Sequence, residues 1–374
     1  MTVDSNIQRI TRLTPLGAIL ALIDSQVAAV TPQKRAVAVA RGCTLAEDVV
    51  VSPLPPAAIA LRDGFAVEAA AIADAGPYSP VPFASKPQRV DAGEPLPSGT
   101  DAVAPFDAIQ EQGSRAEAIA AVSPGDGALP AGGDAAARTP LRRAGERLRD
   151  LDIAIIAAAG IGEVTVRSPR ICIVLGSAAR HPPIDAALDV LAHAAAAAGA
   201  TVLDARREAG SLDRMLTDES ADAVIAIGGT GSGRRDAAVH ALARLGQVKA
   251  HGIAVSPGET AAFGFAGARP VLLIPGRLDA GLAIWLLIGR NLVAKLAGGG
   301  VADAPATLPL KRKVTSTIGL AELIPVACAS GMAEPLASGY LSLQSLARSD
   351  GWIVVPADSE GFAAGTPVAV RAWP

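Results

Sequence analysis

The stretch IAIGGTGSGRRDAAVHAL, residues 225–242, contains the signals that decide the fold. An apolar run ends at Gly228 and Gly229, a loop of small polar residues follows, and a helical pattern begins near Asp236. Glycines let backbone N–H groups approach a ligand, and a helix N-terminus favours negative charge. The loop lacks the Gly-Lys-Ser/Thr of a P-loop. By itself it predicts either an anion cradle or a plain strand-to-helix turn, with Asp236 in the first helical turn, where a carboxylate is favourable.

Strands and helices alternate through residues 170–300, which predicts an α/β domain with a mainly parallel sheet covered on both faces. The strand candidates are ICIVLG, TVLDAR, DAVIAIGG, VKAHGIAV and PVLLIPG, and the helix candidates are IDAALDVLAHAAAAAGA, RRDAAVHALARLG and LDAGLAIWLLIGRNLVAKLAG. Ligands of such sheets bind beyond the carboxyl ends of the strands. Two of these ends carry glycine, at Gly228-Gly229 and at Pro275-Gly276, and both are candidate binding positions.

The remaining regions predict smaller pieces of structure around this domain. Residues 14–30 have the apolar spacing of an amphipathic helix. Residues 76–140 are rich in Gly, Pro and short apolar runs, which favours short strands and turns. Residues 310–374 predict a small β-rich domain, in which GWIVVP and TPVAVRAW are the clearest strands.

Composition excludes several classes of function. The chain has 374 residues and a formal net charge of −3, whereas a broad nucleic-acid surface would need a basic excess. Its cysteines, Cys43, Cys172 and Cys328, are far apart, which argues against a disulfide framework and fits a reducing compartment. The N-terminus lacks the apolar core of a signal peptide, and no apolar stretch has the roughly 18–20 residues of a membrane span. We therefore expect a cytoplasmic protein that binds neither nucleic acid nor membrane.

Several other motifs have plain structural explanations when each is taken alone. Asp63-Gly64 in LRDGFAV is a turn signal, and the basic run LRRAGERLRD, residues 141–150, is typical of a solvated surface. The histidines show no metal-ligand spacing, and no Ser-His-Asp or Cys-His arrangement can be recognised. Any specific signal therefore comes from the order of the motifs along the chain.

The motifs follow one another as IALRDGFA, AGEPLPSGTDAV, RRAGER, GGTGSGRRD, SPGETAAFG, IPGRL and SGYLSLQSLARSDG. In this order they resemble N-S-A-M-D-G-Y/F-A, T-G-x-P-L-P-x-G-A-D-A-V, R-x-x-G-E-D, G-G-x-S-x-G-x-x-D, K-P-G-K-P-x-x-F-G, L-P-G-N-P and S-G-x-L-x-S-L-A-x-A-D/N-G. These are the patterns of the MoeA/gephyrin E-domain family of molybdopterin molybdenumtransferases. The resemblance covers nearly the whole chain.

The resemblance implies a multi-domain α/β architecture. Residues 1–58 and 141–169 would form a discontinuous linking domain, and residues 59–140 an inserted β-rich domain. Residues 170–300 would form a MogA-like molybdopterin-binding α/β domain, and residues 305–374 a C-terminal β-barrel-like domain.

The resemblance also implies a function and partners. Members of the family are homodimers, with the active cleft between the α/β domain of one subunit and the N-terminal region of the other. They insert molybdenum from molybdate into adenylylated molybdopterin with a divalent cation such as Mg²⁺, and they release AMP. The implied ligands are therefore adenylylated molybdopterin, molybdate and Mg²⁺, and a molybdoenzyme or another cofactor-synthesis protein is a possible protein partner.

The site residues are carried over on the matching motifs. Asp63 and Asp236 stand at the acidic positions and are the candidate catalytic residues, and Asp236 is also the candidate metal ligand. The candidate cofactor-binding residues are Gly228, Gly229, Thr230, Ser232, Gly233, Arg234, Arg235, Pro275, Gly276 and Arg277.

The chain departs from the family pattern at several charged positions. The departures are Ile59, Ala60 and Ala92 near the first two motifs, Arg147 for an aspartate, Ala178 and Ala179 for two acids, Ser256 and Glu259 for two lysines, and Arg277-Leu278 for Asn-Pro. A carboxylate at Glu259 would repel a phosphate, since like charges about 4 Å apart at an effective dielectric of about 20 cost on the order of 4 kcal/mol. Guanidinium groups pair well with phosphate, so replacement cations could come from nearby arginines. The candidates are Arg180, Arg234, Arg235 and Arg277, each of which is otherwise an ordinary surface arginine.

These substitutions leave more than one function open. The leading hypothesis is molybdenum insertion of the MoeA type. The alternative is a non-catalytic paralogue that binds molybdopterin and acts as a carrier or scaffold for a molybdoenzyme. A third possibility is a related α/β enzyme that acts on a different phosphorylated ligand.

Overall fold

A computed structural model of the chain describes residues 8–177, 181–204, 211–233, 236–301 and 303–374. The chain divides into two units. The first consists of Met1–Glu47, Ala144–Ile153 and Glu163–Pro374, and the second of Asp48–Arg143 and Ala154–Gly162. The predicted α/β and C-terminal regions both belong to the first unit, and the predicted inserted region belongs to the second. The finer division into four domains stays a prediction.

Short strands dominate the chain before residue 170. They are β1 Thr14–Pro15, β2 Gln33–Ala36, β3 Thr44–Leu45, β4 Val49–Val50, β5 Ile59–Ala60, β6 Gly64–Val67, β7 Val81–Pro82, β8 Gln88–Val90, β9 Ala102–Ala104, β10 Ile109–Gln112, β11 Arg115–Ala118, β12 Ala128–Leu129, β13 Pro140–Arg142 and β14 Glu163–Arg167. The helices of this part are α1 Leu16–Gln26 and α2 Asp150–Ala158, with 3₁₀ turns at Val37–Val39, Ala69–Ile72 and Phe106–Ala108. The helix predicted within residues 14–30 is confirmed as α1, which buries Ile19 and Ile23.

The second unit is built from small antiparallel sheets. Its strands are ordered β8-β6-β9 and β10-β11-β7, with the pairs β12-β5 and β13-β4. Apolar side chains such as Phe65, Val67 and Ile72 form its core. The short strands predicted for residues 76–140 are therefore confirmed.

The α/β region follows in the first unit. Its strands are β15 Arg170–Leu175, β16 Thr201–Asp204, β17 Ala223–Ile227, β18 Gln247–His251, β19 Ile253–Ser256, β20 Ala262–Ala266 and β21 Arg269–Ile274. Its helices are α3 Pro182–Ala197, α4 Ser211–Thr217, α5 Ala238–Leu245, α6 Leu278–Ile284 and α7 Arg290–Leu296, with a π-helical turn, Trp285–Gly289, between the last two.

The six-stranded sheet of this region has the order β16-β15-β17-β21-β20-β18. The pairs from β16 to β21 are parallel, which confirms the predicted parallel sheet for these strands. The other two strands, β20 and β18, are antiparallel, so the sheet is mixed. The reason is a two-residue hairpin at Gly267-Ala268, where Gly267 has a φ of 61°. The sequence analysis did not find β20, because that strand contains Gly264 and follows a turn-like segment.

Both faces of the three inner parallel strands, β15, β17 and β21, are buried. Along β15, Ile171 and Ile173 belong to one hydrophobic core, whereas Cys172 and Val174 belong to another. The side chains of a strand alternate between its faces, so an unbroken apolar run is what a doubly covered strand requires. Cys172 itself is buried, with 1% of the residue exposed.

The segment VKAHGIAV is not one strand, as the sequence predicted, but two. The break falls at Gly252, which has a φ of +91°. A Cβ there would lie 2.4 Å from Cγ2 of Ile10 and 3.0 Å from the carbonyl oxygen of Arg12. Before this glycine, β18 pairs with β20; after it, β19 pairs with β1 and β24 in a different sheet. Gly252 therefore allows one short segment to contribute a strand to each of two sheets.

The C-terminal part of the first unit is rich in strands, as predicted. Its strands are β22 Ala306–Pro309, β23 Val314–Thr315, β24 Ala321–Ala329, β25 Met332–Pro335, β26 Gly351–Val355, β27 Gly361–Phe362 and β28 Pro367–Ala372, and its helix is α8 Leu343–Ala347. The main sheet follows the path β1-β19-β24-β26-β28-β22, with β25 beside β24. This path is open at both ends, so the barrel-like form stays a prediction. Across the described part of the chain, none of the helices has the length and apolar character needed to cross a bilayer.

Candidate functional site

Three neighbouring parallel strands end in glycine at the same edge of the α/β sheet. Gly176 follows β15, Gly228 follows β17, and Pro275 leads from β21 into Gly276. The strand ladder continues into these residues: the N–H of Gly176 donates to Ile227 O at 2.9 Å. The N–H of Gly228 donates to the carbonyl of the last residue of β21 at 2.8 Å. We call Gly176, Gly228, Gly229 and Gly276 the glycine edge.

The glycine edge has no room for side chains. A Cβ on Gly229 would lie 2.2 Å from the carbonyl oxygen of Gly176, and a Cβ on Gly176 would lie 2.3 Å from that of Gly228. Gly228 and Gly229 also have φ values of +88° and +74°, which side chains rarely adopt. A Cβ on Gly276 would lie 3.1 Å from Cδ1 of Ile184. The edge therefore presents backbone rather than side chains beyond the strand ends, where ligands of such sheets bind.

Asp236 lies against its own loop. One carboxylate oxygen, Oδ2, accepts a hydrogen bond of 2.8 Å from the N–H of Gly233. A Cβ on Gly231 would come within 2.8 Å of the same oxygen, so the carboxylate packs closely on this glycine. The structure thus brings Asp236 together with residues 228–233, which we call the glycine loop. Arg234 and Arg235, like Arg180, lie outside the described residues.

The start of helix α5 is occupied by a side chain from the N-terminal segment. Gln8 is 2% exposed, and its Oε1 accepts hydrogen bonds from the N–H groups of Val239 at 2.8 Å and His240 at 3.2 Å. Its Nε2 donates to the carbonyls of Gly229 at 3.0 Å and Gly231 at 2.8 Å. The N–H groups of Val239 and His240 therefore already donate to Gln8 and are not free to bind an anion.

Two more candidate residues of the loop are anchored by neighbours. Ser232 donates to the backbone carbonyl of Gln8 at 2.8 Å. Thr230 is buried, and its hydroxyl lies 3.1 Å from the hydroxyl of Thr260. The ring Nε2 of His251 lies 3.0 Å from the carbonyl oxygen of Thr230. The loop is therefore attached to the segment that follows β19, where the family pattern has its lysines.

Arg277, the candidate replacement cation next to Gly276, is already paired. Its Nε donates to Oδ1 of Asp279 at 3.0 Å, and its Nη2 donates to Oδ2 of the same carboxylate. Its guanidinium carbon lies 4.9 Å from the ring centroid of Tyr340. The hydrogen bond to Asp279 raises the pKa of Arg277, and the charge of Glu259 acts in the same direction. Much of its positive charge is therefore balanced within the chain.

We expect the Arg277→Ala variant to lower the free energy of unfolding by about 1–2 kcal/mol, because it leaves the buried carboxylate of Asp279 without its ion pair. The Arg277 side chain is 58% exposed, so solvent screening keeps the loss below that of a fully buried pair. The control is Lys311→Ala, which removes the more exposed pair with Glu334. Urea unfolding should show a smaller loss for the control; equal losses would contradict a stabilising role for the Arg277 pair.

Asp63 belongs to the second unit. Its Oδ1 accepts a hydrogen bond of 2.8 Å from the N–H of Ala92, so the first two motifs meet. The backbone supports this contact, because the N–H of Gly93 donates to Ala60 O at 2.8 Å. The side chain of the neighbouring Arg62 donates to Val103 O. Asp63 is exposed and thus available to a ligand from solvent.

Sequence reasoning missed several residues of the site. Gln8 gave no signal, because a glutamine near the N-terminus has no motif around it. Asp279 did give one: an acidic residue in the first turn of α6, two positions after Arg277, is placed to pair with it. No group of three or more His, Cys, Asp or Glu side chains within the described residues is arranged to hold a metal ion. The metal role of Asp236 therefore stays a prediction.

Family comparisons cover most of the chain. The N-terminal part, residues 1–160, matches a model described as "MoeA N-terminal region (domain I and II)". Residues 183–295, which include the glycine loop, match a model described as "Probable molybdopterin binding domain". Residues 307–373 match a model described as "MoeA C-terminal region (domain IV)".

Individual curated proteins are similar as well. A Methanocaldococcus jannaschii protein provisionally assigned to molybdopterin biosynthesis is 30% identical over 150 residues, which is 40% of this chain and 36% of that protein. The chain thus matches little more than a third of that relative's length. "Molybdopterin molybdenumtransferase 1" of Mycobacterium tuberculosis is 26% identical over 323 residues, with 73% of this chain and 76% of that protein covered.

A solved structure shares the fold. The molybdopterin biosynthesis MoeA protein of Pyrococcus horikoshii is 24% identical, with a TM-score of 0.76 over 97% of this chain and 100% of the other. The three family models match consecutive parts of the chain, in agreement with the order of the sequence motifs. The chain belongs to the MoeA family of molybdenum-cofactor biosynthesis proteins.

Proposed function

We propose that this protein binds molybdopterin at the glycine edge and inserts molybdenum from molybdate into its adenylylated form, with release of AMP. The observation that carries the proposal is the row of three glycine-ended strands, which Cβ atoms would obstruct. A bulky ligand with a phosphate group can approach such a backbone surface closely. The proposal includes the homodimer, the Mg²⁺ ion and the cytoplasmic location that the family resemblance implies.

The chain's own residues have distinct parts in this proposal. The glycine edge admits the ligand, and the loop from Thr230 to Gly233 closes beside it, held by Thr260 and Gln8. Asp236 holds the loop in place by accepting the hydrogen bond from the N–H of Gly233, and its carboxylate adds a negative charge next to the loop. Within the described residues, no group of three or more His, Cys, Asp or Glu side chains is arranged to hold the Mg²⁺ ion.

A second function is favoured by the charges around the site. The pattern lysines are replaced by Ser256 and Glu259, and the guanidinium of Arg277 is paired with Asp279. Transfer of phosphorylated groups relies on cations that stabilise the negative charge developing in the transition state. Loss of these cations therefore lowers turnover far more than it weakens binding. This supports a molybdopterin-binding carrier or scaffold for a molybdoenzyme as the alternative.

One assay distinguishes the two functions. The protein is supplied with adenylylated molybdopterin, molybdate and Mg²⁺, and AMP release is followed together with ligand binding. Release of AMP over many turnovers supports the transferase. Tight binding without release supports the carrier. If molybdopterin does not bind at all, both proposals are wrong.

For the transferase we expect Asp236→Asn to reduce AMP release on the order of 100-fold, a usual effect of removing an essential charged group from a site. Asparagine keeps an acceptor for the N–H of Gly233, so the loop should keep its shape. The matched control is Asp213→Asn on α4, an exposed aspartate that pairs with Arg244. AMP release by Asp236→Asn at the rate of the control would rule out a role for this carboxylate.

A further inference from the structure

A polar cleft of about 300 Å³ lies in the first unit, where β19 and the beginning of β24 run side by side. Hydroxyl groups and one carboxylate form its polar lining: Ser256, Thr315, Ser316, Thr317, Ser338 and Glu322. We call it the hydroxyl cleft. As far as the structure describes the chain, no lysine or arginine lines it. An anionic group would therefore enter without a cation to balance it.

Two buried polar side chains sit together in the hydroxyl cleft. Ser256 and Glu322 are direct partners in the parallel pairing of β19 and β24. They are 7% and 6% exposed, and Oε1 of Glu322 accepts a hydrogen bond of 2.8 Å from the N–H of Gly339. A buried carboxylate needs several donors to offset its lost hydration. The carboxylate of Glu322 can therefore accept further hydrogen bonds from N–H groups of a ligand.

Ser316 supplies an independent observation. Its Oγ is buried, and within the described residues it has no hydrogen-bond partner. Buried polar atoms in native proteins are nearly always hydrogen-bonded, so the orphan hydroxyl of this cleft-lining residue indicates a further partner, such as a water molecule or a ligand. A hydroxyl can donate or accept, and it can serve a ligand edge that carries both kinds of group.

Two chains of contacts connect the hydroxyl cleft with the glycine edge. Ser256 begins the segment that reaches Thr260, whose hydroxyl contacts Thr230 of the glycine loop at 3.1 Å. A second connection comes from Arg277, which follows Gly276 and lies over the ring of Tyr340. Tyr340 directly follows Gly339 in the wall of the cleft. These contacts place the cleft and the strand ends near each other within the first unit.

We propose that the hydroxyl cleft holds the donor edge of an aminopyrimidinone ring, with Glu322 accepting hydrogen bonds from its 2-amino group and adjacent ring N–H. This inference rests on the proposed binding of molybdopterin, whose pterin ring has this edge. The phosphate end then lies toward the glycine edge and the neutral ring in the cleft. The neutral ring suits the cleft, because the described residues that line it include a carboxylate and no lysine or arginine.

The test uses two fluorescent ring systems without phosphate. Pterin has the 2-amino group, and lumazine, pteridine-2,4-dione, has an oxygen in its place. We expect the protein to bind pterin at least about 10-fold more tightly in fluorescence titrations, because hydrogen bonds to charged groups are strong and lumazine turns an oxygen toward the carboxylate. Equal affinities, or preference for lumazine, would overturn the inference.

The Glu322→Gln variant tests the residue itself. Glutamine keeps an acceptor for the N–H of Gly339 and adds an amide donor that suits the lumazine oxygen. We therefore expect the preference for pterin to fall to near unity or to reverse. Glu334→Gln on β25, a glutamate outside the cleft that pairs with Lys311, should keep the preference of the unaltered protein. An unchanged preference in Glu322→Gln would contradict the proposal.

Two further measurements keep the outcomes separate. Ser316→Ala removes only the orphan hydroxyl and should weaken both rings several-fold without changing their ratio, since its Oγ supports no contact within the described residues. Molybdopterin is titrated in parallel. If molybdopterin binds but pterin shows no preference, the inference fails and the proposed function stands. If pterin is preferred but molybdopterin does not bind, the proposed function fails and the aminopyrimidinone site stands.

Discussion

The Gly229→Ala variant should lose about 2–5 kcal/mol of its free energy of unfolding, together with any binding of molybdopterin. Two costs add. A left-handed conformation costs an alanine about 1–2 kcal/mol, and Gly229 has a φ of +74°. The new Cβ would also lie 2.2 Å from the carbonyl oxygen of Gly176, a backbone atom that cannot move aside alone. Overpacking of this kind typically costs a further 1–3 kcal/mol or so.

A second glycine in the same unit separates the two costs. Gly267, in the hairpin between β20 and β21, also has a positive φ, of +61°, but a Cβ there would meet nothing within 4 Å. Gly267→Ala should therefore lose only the conformational part, about 1–2 kcal/mol. Urea unfolding followed by tryptophan fluorescence measures both, since the buried Trp285 lies in this unit. Equal losses in the two variants would show that the close approach of the strand ends is not the constraint.

The Gln8→Ala variant is the second large effect that we expect, a loss of about 2–4 kcal/mol in the free energy of unfolding. The substitution removes hydrogen bonds to the carbonyls of Gly229 and Gly231 and to the N–H groups of Val239 and His240. Each buried group left unpaired costs about 1–3 kcal/mol, although water will satisfy some of them. The glycine loop should also become more mobile, because its main anchor is gone.

Gln26→Ala is the matched control for Gln8→Ala. Gln26 is an exposed glutamine at the end of α1, in the same unit, and its replacement should change stability by less than about 0.5 kcal/mol. Amide hydrogen exchange reports the loop directly: in Gln8→Ala the N–H groups of Val239 and His240 should lose protection, while those in the middle of β17 keep it. Unchanged protection at the start of α5 would show that Gln8 is not the anchor.

The part of the fold that the sequence predicted is the part with unbroken patterns. The run from Ala223 to Ile227 is entirely apolar and ends at two glycines, and it forms β17 where that pattern places it. Such runs are sufficient because a doubly covered strand must bury both faces. The position of the glycine loop was also predicted correctly, because the sequence changes abruptly from an apolar strand to small polar residues.

The errors occurred where the outcome depends on distant contacts. VKAHGIAV looks like one strand, and the need for a glycine at the break becomes visible only in the fold, where a Cβ on Gly252 would collide with Ile10 and Arg12. Arg277 is a candidate phosphate-binding cation in the sequence, and its pairing with Asp279, two positions along the chain, is a local signal that was overlooked. Its stacking on Tyr340, by contrast, depends on packing between separate segments. The pairing of Ser256 with Glu322 joins positions that no local motif connects.

The break at Gly252 has a consequence for how the protein can be divided. Because β19 lies between β1 and β24, its backbone joins the N-terminal strand to the C-terminal sheet. A single hydrophobic core also includes Ile225 of the α/β sheet and Trp352 of β26. The α/β region and the C-terminal strands should therefore unfold in one cooperative transition. Replacing either region by an unrelated domain would expose β19, the strand that both regions share.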